Sequence, residues 1–205
     1  MSMKLKLYFA APSPFARKVR VLVRELGITE DVEELPVHTT PIAPHADVTE
    51  VNPLSKIPTL MTPEGVALYD SRVIQEYLVS LRPQEASSVL NGGLRWRSLR
   101  RLALADGILD AGLLHRYELV LRPESLRWGA WLQAQEGKIQ NGLIALASDI
   151  PPVGQRVDLD AIGAACTLAW LEFRMPNIAW RTQHPGLSDF LDAMSQRASM
   201  RETAP

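Results

Sequence analysis

The stretch KLKLYFAAPSPFARKVRVLVRELG, Lys4 to Gly27, decides the fold. Lys4 to Ala10 is a short β-type run, and Ala11-Pro12-Ser13-Pro14 breaks it. Apolar residues then return at Phe15, Val19, Leu22, Val23 and Leu26, the spacing of one helix face. Gly27 stands where a helix C-terminus takes a left-handed residue. Val32 to Val37 predicts a second strand. Strand, helix and strand in such close succession point to a βαβ unit with a parallel pair.

The rest of the N-terminal part extends this unit. Thr39 to Pro53 is polar, contains three prolines, and predicts a loop with room for one short helix. Pro58 to Met61 and Val66 to Tyr69 are short β-type runs separated by Thr62-Pro63-Glu64-Gly65, a hairpin turn. Val73, Ile74, Tyr77, Leu78 and Leu81 then mark a helix face. Residues 1–81 thus predict an α/β domain of order β-α-β-loop-β-β-α. Residues 82–93, with Pro83, Ser87, Ser88 and Asn91-Gly92-Gly93, predict a linker. Residues 94–205 predict an all-α domain with helices over Leu94–Leu121, Glu124–Ala147, Asp158–Phe173 and Leu187–Ala198. All five tryptophans fall in that half.

Composition limits the function classes. The 205 residues are 46% hydrophobic and 22% charged, with a formal net charge of −1. That is ordinary for a soluble globular protein. It offers neither the basic footprint that nucleic acid requires nor one suited to an anionic membrane surface. No apolar stretch approaches the ~20 residues that span a bilayer. The single cysteine, Cys166, excludes an internal disulfide and fits a reducing compartment. Cys166 lies in an apolar helical stretch and is expected to be a buried small hydrophobe. His38, His45, His115 and His184 are scattered without metal-ligand spacing, so no metal is expected. The protein is expected to be cytoplasmic. The basic run Arg17, Lys18, Arg20 and Arg24 is expected on a solvated or partner-facing side of the first helix.

Three features bear on chemistry. Ser13-Pro14 stands between the first strand and the first helix, where thioredoxin-like redox proteins carry Cys-x-x-Cys. Neither cysteine is present, so the chain cannot form that dithiol. A hydroxyl at a helix N-terminus suits a different task, the stabilisation of a bound thiolate. Lowering a thiol pKa from ~8.5 to ~6.5 is worth about 2.7 kcal/mol. The same dipeptide is also an ordinary N-cap followed by an N1 proline. Second, Ile57 precedes Pro58 and is biased toward extended geometry, with its backbone available to a peptide ligand; a trans-proline at a strand start is the alternative. Third, Asp70-Ser71 opens a helix. It serves either as a carboxylate and ammonium site or simply as an N-cap.

Taken in order, these features resemble the bacterial cytosolic glutathione S-transferases. The resemblance rests on KLYFAAPSPFARKVRVLVRELG, VNPLSKIPTL and LYDSRVIQEYL, continues through ALADGILDAGLLHRYE and WLQAQEGKIQNGLIAL, and ends at HPGLSDFLDAMSQRASMRETAP. It covers essentially the whole chain. It implies a thioredoxin-like N-terminal domain plus an all-helical C-terminal domain, with glutathione as co-substrate and a homodimer as the assembly. It implies that Ser13 donates to the glutathione sulfur, that Ile57 pairs by backbone with the cysteinyl part, and that Pro58 is cis. Asp70 and Ser71 would hold the γ-glutamyl end, Lys56 the glycyl carboxylate, and Phe15 would line the thiol pocket. Arg116 and Tyr117 are the candidates for the pocket of the small electrophile. One departure concerns the buried core helix. The family begins it with Ser/Thr-x-x-Asp, and here the stretch reads Asp158-Leu159-Asp160-Ala161. Asp158 is expected to cap, while Ala161 cannot reciprocate. Conjugation of glutathione to small apolar electrophiles is the leading expectation. Glutathione-dependent disulfide or peroxide reduction and a non-catalytic binding scaffold are the alternatives.

Overall fold

A computed structural model describes residues 4–82, 95–154 and 158–205. The expected linker at 82–93 lies, apart from Arg82, outside the described residues. The chain divides into two compact units. The first comprises residues 1–88 and 197–205, and the second residues 89–196.

The first unit contains β1 (Leu5–Phe9), α1 (Pro14–Glu25), β2 (Val32–Pro36), α2 (Ala46–Val51), β3 (Thr59–Met61), β4 (Ala67–Leu68) and α3 (Ser71–Ser80). Its four-stranded sheet has the order β2-β1-β3-β4. β1 pairs in parallel with β2 (Leu5 opposite Val32) and antiparallel with β3 (Tyr8 opposite Thr59); β3 pairs antiparallel with β4. Leu5, Leu7 and Phe9 of β1 are buried at every second position, as a period of two requires. α1 ends in a Schellman motif: the Ile28 N–H reaches the Val23 carbonyl and the Gly27 N–H the Arg24 carbonyl. Gly27 has the positive φ, 65°, that this motif needs. The β3–β4 hairpin turns through Gly65 at φ 83°, with the Gly65 N–H bonded to the Thr62 carbonyl.

The basic run of α1 is not on a solvated side. Arg17, Lys18 and Arg20 are buried. Arg20 and Arg24 donate to Glu34 of β2 at 2.9 and 2.8 Å, and Arg20 lies over the Phe9 ring. Burial pushes the Glu34 carboxyl up, but the Arg20 and Arg24 hydrogen bonds outweigh it and hold it below its ordinary range. Further partners come from the far end of the sequence, in and beside α9 (Ala198–Glu202). Arg17 donates to the Met200 carbonyl at 3.0 Å, and Arg24 pairs with Glu202. Glu25 accepts from Arg197 and from the Ser199 hydroxyl. The helical domain was expected to run to residue 205; its last nine residues cluster instead with the first unit.

The second unit is helical: α4 (Arg95–Val120), α5 (Gly129–Ser148), α6 (Leu159–Arg174), α7 (Trp180–Gln183) and α8 (Pro185–Ser195). α5 begins five residues later than the periodicity predicts. Residues 124–126 form a single 3₁₀ turn, and Trp128 is extended, its N–H held by Glu118 at 2.9 Å. α6 is buried almost all round, Cys166 included. Glycines bring its neighbours close. A Cβ on Gly112 would lie 2.5 Å from the Trp170 ring, and one on Gly142 2.5 Å from Ile108.

Asp158 occupies the N-cap of α6, but its side chain makes no capping bond. Asp160, 2% exposed, takes the structural role instead. It accepts from Arg101 of α4 at 3.2 Å, and Arg101 also pairs with Asp149, which receives Arg97 and Arg100 as well. Hydrogen bonds from Arg97 and Arg101 hold the Asp149 carboxyl far below the ordinary carboxylate range. Asp160 is pushed upward by burial, against the opposing effect of Arg101. A depressed carboxyl stabilises the fold above its unfolded pKa, and that contribution fades as pH falls toward the folded value. Asp160 has the opposite sign, since protonation eases its burial. Asp149→Asn is therefore expected to lower the melting temperature at pH 7, with the gap to the parent closing below about pH 4. Arg101→Met leaves a buried carboxylate unpaired and is expected to cost about 3–5 kcal/mol in urea unfolding.

Candidate functional site

The strand pairings bring three separated segments to one end of the sheet. β3 runs against β1, so its start, after Ile57-Pro58, lies beside the end of β1, before Ser13. β4 runs against β3, so its end, before Asp70-Ser71, lies there too. The N-termini of α1 and α3 consequently open at the same end. Oriented N–H groups at helix starts favour anionic groups.

Each segment is held by local chemistry. Ser13 caps α1, its hydroxyl oxygen accepting from the Ala16 N–H at 3.3 Å, and Pro14 fills N1. The oxygen is thereby engaged as acceptor while the O–H remains available to donate. The Ile57–Pro58 bond is cis. The Ile57 N–H and C=O make no hydrogen bond among the described residues. Asp70 caps α3 by accepting from the Arg72 N–H at 2.9 Å. Ser71 is 2% exposed, and its hydroxyl has no partner among the described residues. Ser13 and Asp70 are thus caps, and capping leaves their remaining donor and acceptor capacity unspent. Phe15, half-buried, lies beneath the Lys18 ammonium, 5.0 Å from its ring centroid. The Lys56 side chain is exposed beside Ile57. Arg116 and Tyr117, both half-buried, belong to α4 of the second unit. Among the described residues no group of three or more His, Cys, Asp or Glu side chains is placed to hold a metal. No helix among them is long and apolar enough to cross a membrane.

Asn52 was not singled out by the sequence, yet it builds the loop that presents Ile57. It is fully buried. Its amide donates to the Lys56 carbonyl at 3.1 Å and to the Thr59 hydroxyl at 2.9 Å, and its oxygen accepts from the Leu54 N–H. The hydroxyl of Thr59 returns to the Lys56 carbonyl at 2.8 Å. The available signal was Asn-Pro, a turn-initiating pair whose asparagine side chain bonds two residues ahead. The loop closes through Ser55 at φ 53°, left-handed backbone that favours glycine.

Residues 12–81 match the glutathione S-transferase N-terminal domain and residues 129–193 the glutathione S-transferase C-terminal domain. The chain is 34% identical over 207 residues to YibF of Escherichia coli K12, described as an uncharacterized GST-like protein, with 98% of each chain covered. A Pseudomonas fluorescens Pf-5 glutathione transferase family member with bound glutathione superposes with a TM-score of 0.91 at 41% identity, covering 98% of this chain and 99% of that one. A second Pseudomonas fluorescens Pf-5 structure, with bound S-(propanoic acid)-glutathione, gives 0.87 at 39% identity over 98% and 100%. A Methylobacillus flagellatus KT glutathione S-transferase with glutathione bound gives 0.86 at 35% over 98% and 100%. The chain belongs to the glutathione S-transferase family, and its fold is that of the family.

Asn52→Ala takes the partner from the Leu54 N–H and one of two donors from the Lys56 carbonyl, and is expected to cost about 1–3 kcal/mol by urea melt. Ser55→Gly relieves the left-handed backbone and is expected to gain roughly 0.5–1 kcal/mol, less whatever the 3.0 Å hydroxyl contact with Thr49 contributes.

Proposed function

We propose that the protein is a glutathione transferase that joins the thiolate of reduced glutathione to small, mostly apolar electrophiles. The observation that carries this is the convergence, at one end of the sheet, of two helix N-termini and an Ile57 backbone that has no hydrogen bond among the described residues. In this reading Ile57 pairs with the cysteinyl backbone beside Pro58, and Ser71 with the α3 N-terminus takes the γ-glutamyl carboxylate. Asp70 receives the γ-glutamyl ammonium, and Lys56 the glycyl carboxylate. Phe15 lines the sulfur, and the Ser13 O–H donates to it. Arg116 and Tyr117 serve the electrophile. The chemistry is thiolate stabilisation by a donor and a helix N-terminus, together with proximity. The chain's one thiol, Cys166, is buried inside α6, so glutathione supplies the reacting sulfur in conjugation and in reduction alike. The S-(propanoic acid)-glutathione held by the Pseudomonas fluorescens relative is an S-substituted glutathione, the product type that conjugation forms. The reading places the protein in the cytoplasm, where glutathione is kept reduced.

Ser13→Ala removes one charge-assisted hydrogen bond, about 1.5–3 kcal/mol, so the bound thiol pKa is expected to rise by roughly one to two units. The rate with an aromatic halide at neutral pH should then fall about tenfold or more, with its pH profile displaced upward. Ser71→Ala should instead weaken glutathione binding in calorimetry and move the thiol pKa less. An unchanged pH–rate profile in Ser13→Ala overturns the role of the hydroxyl. Absence of turnover with an aromatic halide, alongside turnover of a hydroperoxide or small disulfide, overturns conjugation. A homodimer is part of the same reading: light scattering at micromolar concentration should return twice the chain mass.

A further inference from the structure

Several arginines among the described residues are paired with carboxylates. Arg20 and Arg24 share Glu34, Arg97, Arg100 and Arg101 meet at Asp149, and Arg181 binds Glu172 and Asp192. Arg116 of α4 and Arg174 of α6 do not follow this pattern. Neither has a hydrogen bond or a carboxylate partner among the described residues.

Three contacts place these two side chains together. Arg101 reaches Asp160, the Thr167 hydroxyl bonds to the Ala105 carbonyl, and Gly112 abuts the Trp170 ring. The residue numbers climb together, so α4 and α6 run parallel. One turn beyond Gly112 and Trp170, at i+4 on each helix, are Arg116 and Arg174. The register therefore puts two half-buried arginines near each other, and burial together with the Arg116 charge holds Arg174 below its ordinary range. A basic residue in the last turn of α6 is favoured by the helix dipole, which accounts for Arg174 alone. It does not account for a second cation set against it. Around the pair, Arg174 lies 4.0 Å from the centroid of the exposed Phe173 ring. Tyr117 is half-buried, and burial pushes its phenol upward against the opposing effect of Arg116.

We propose that Arg116 and Arg174 form an anion clamp in the helical unit, completed by the Tyr117 hydroxyl, that takes the carboxylate of a small organic acid. An anion between two guanidinium forks satisfies both and relieves their repulsion. Phe173 offers apolar surface for the body of such a molecule. This inference rests on the transferase reading for its consequence, that the preferred electrophiles are anionic. The clamp itself is testable by binding alone.

The probe pair is 4-chloro-3-nitrobenzoate and 4-chloro-3-nitrobenzamide, alike in shape and different in charge. In calorimetry without glutathione, the intact protein should prefer the benzoate. In Arg116→Gln and in Arg174→Gln the benzoate-to-benzamide affinity ratio should fall about tenfold, the loss of one charge-assisted hydrogen bond pair. Arg116→Lys should retain part of the preference. Both Gln variants should melt no lower than the parent, because each removes one of two neighbouring charges. With glutathione, attack of the thiolate forms a carbon–sulfur bond and expels chloride, and kcat/KM should show the same preference. Equal binding of the two probes, or a preference that survives in both Gln variants, overturns the clamp. A fall of several degrees in the melting temperature of both variants overturns the claim that the guanidiniums are unpartnered. Charge-selective binding without any turnover upholds the clamp and removes the transferase proposal instead.

Discussion

The chemistry of the first unit depends on β1 being paired in opposite senses along its two edges. Its parallel partner, β2, requires a crossover, which α1 supplies. Its antiparallel partner, β3, reverses the chain, and β4 reverses it again. The end of β1, the start of β3 and the end of β4 must then share one end of the sheet. Had β3 run parallel to β1, Ile57 would lie at the opposite end from Ser13. The cap residues, the extended Ile57 and the buried Asn52 matter chemically only because this pairing places them together.

What was legible in the sequence follows from local physics. Period-two and period-3.6 patterns give β1 and α1, Gly27 ends α1, and the Thr62–Gly65 turn gives the hairpin. The caps Ser13 and Asp70 were readable from residue type and from the breaks ahead of them. The misreadings concern residues whose partners no helical or strand periodicity reveals. Four basic residues on one helix look solvated until Glu34 and the segment 197–202 are known to lie against them. Asp160 resembled a position in a failed capping box, and its partner Arg101 is 59 residues away. The late start of α5 depends on Glu118 reaching the Trp128 N–H, which no helical periodicity encodes. Asn52 was passed over because its bonds to Lys56 and Thr59 form only once the loop has closed.

The two units handle buried charge by the same rule, with different results. Glu25 and Glu34 sit among arginines of α1 and the C-terminal segment, and their hydrogen bonds outweigh the penalty of burial. Asp149 goes further, with three arginines around it. At Asp160 burial prevails over its single arginine. These networks fix geometry more than they add stability, because desolvation offsets much of the Coulomb gain. They also make the Arg116–Arg174 pair conspicuous, since no carboxylate among the described residues repays its repulsion.

The return of residues 197–205 to the first unit has a consequence for the order in which the protein can be made. The helical unit is inserted, in the sequence sense, between two parts of the unit that frames it. While a ribosome is still adding residues 89–196, the sheet and α1 already exist as chain. The partners of Arg17 and Glu25 do not. At about 5–20 residues per second, that interval lasts on the order of ten seconds. During it, α1 exposes cations and a carboxylate that the finished protein buries. The first unit to emerge is thus the last to close, and its completion waits on the final turn of helix.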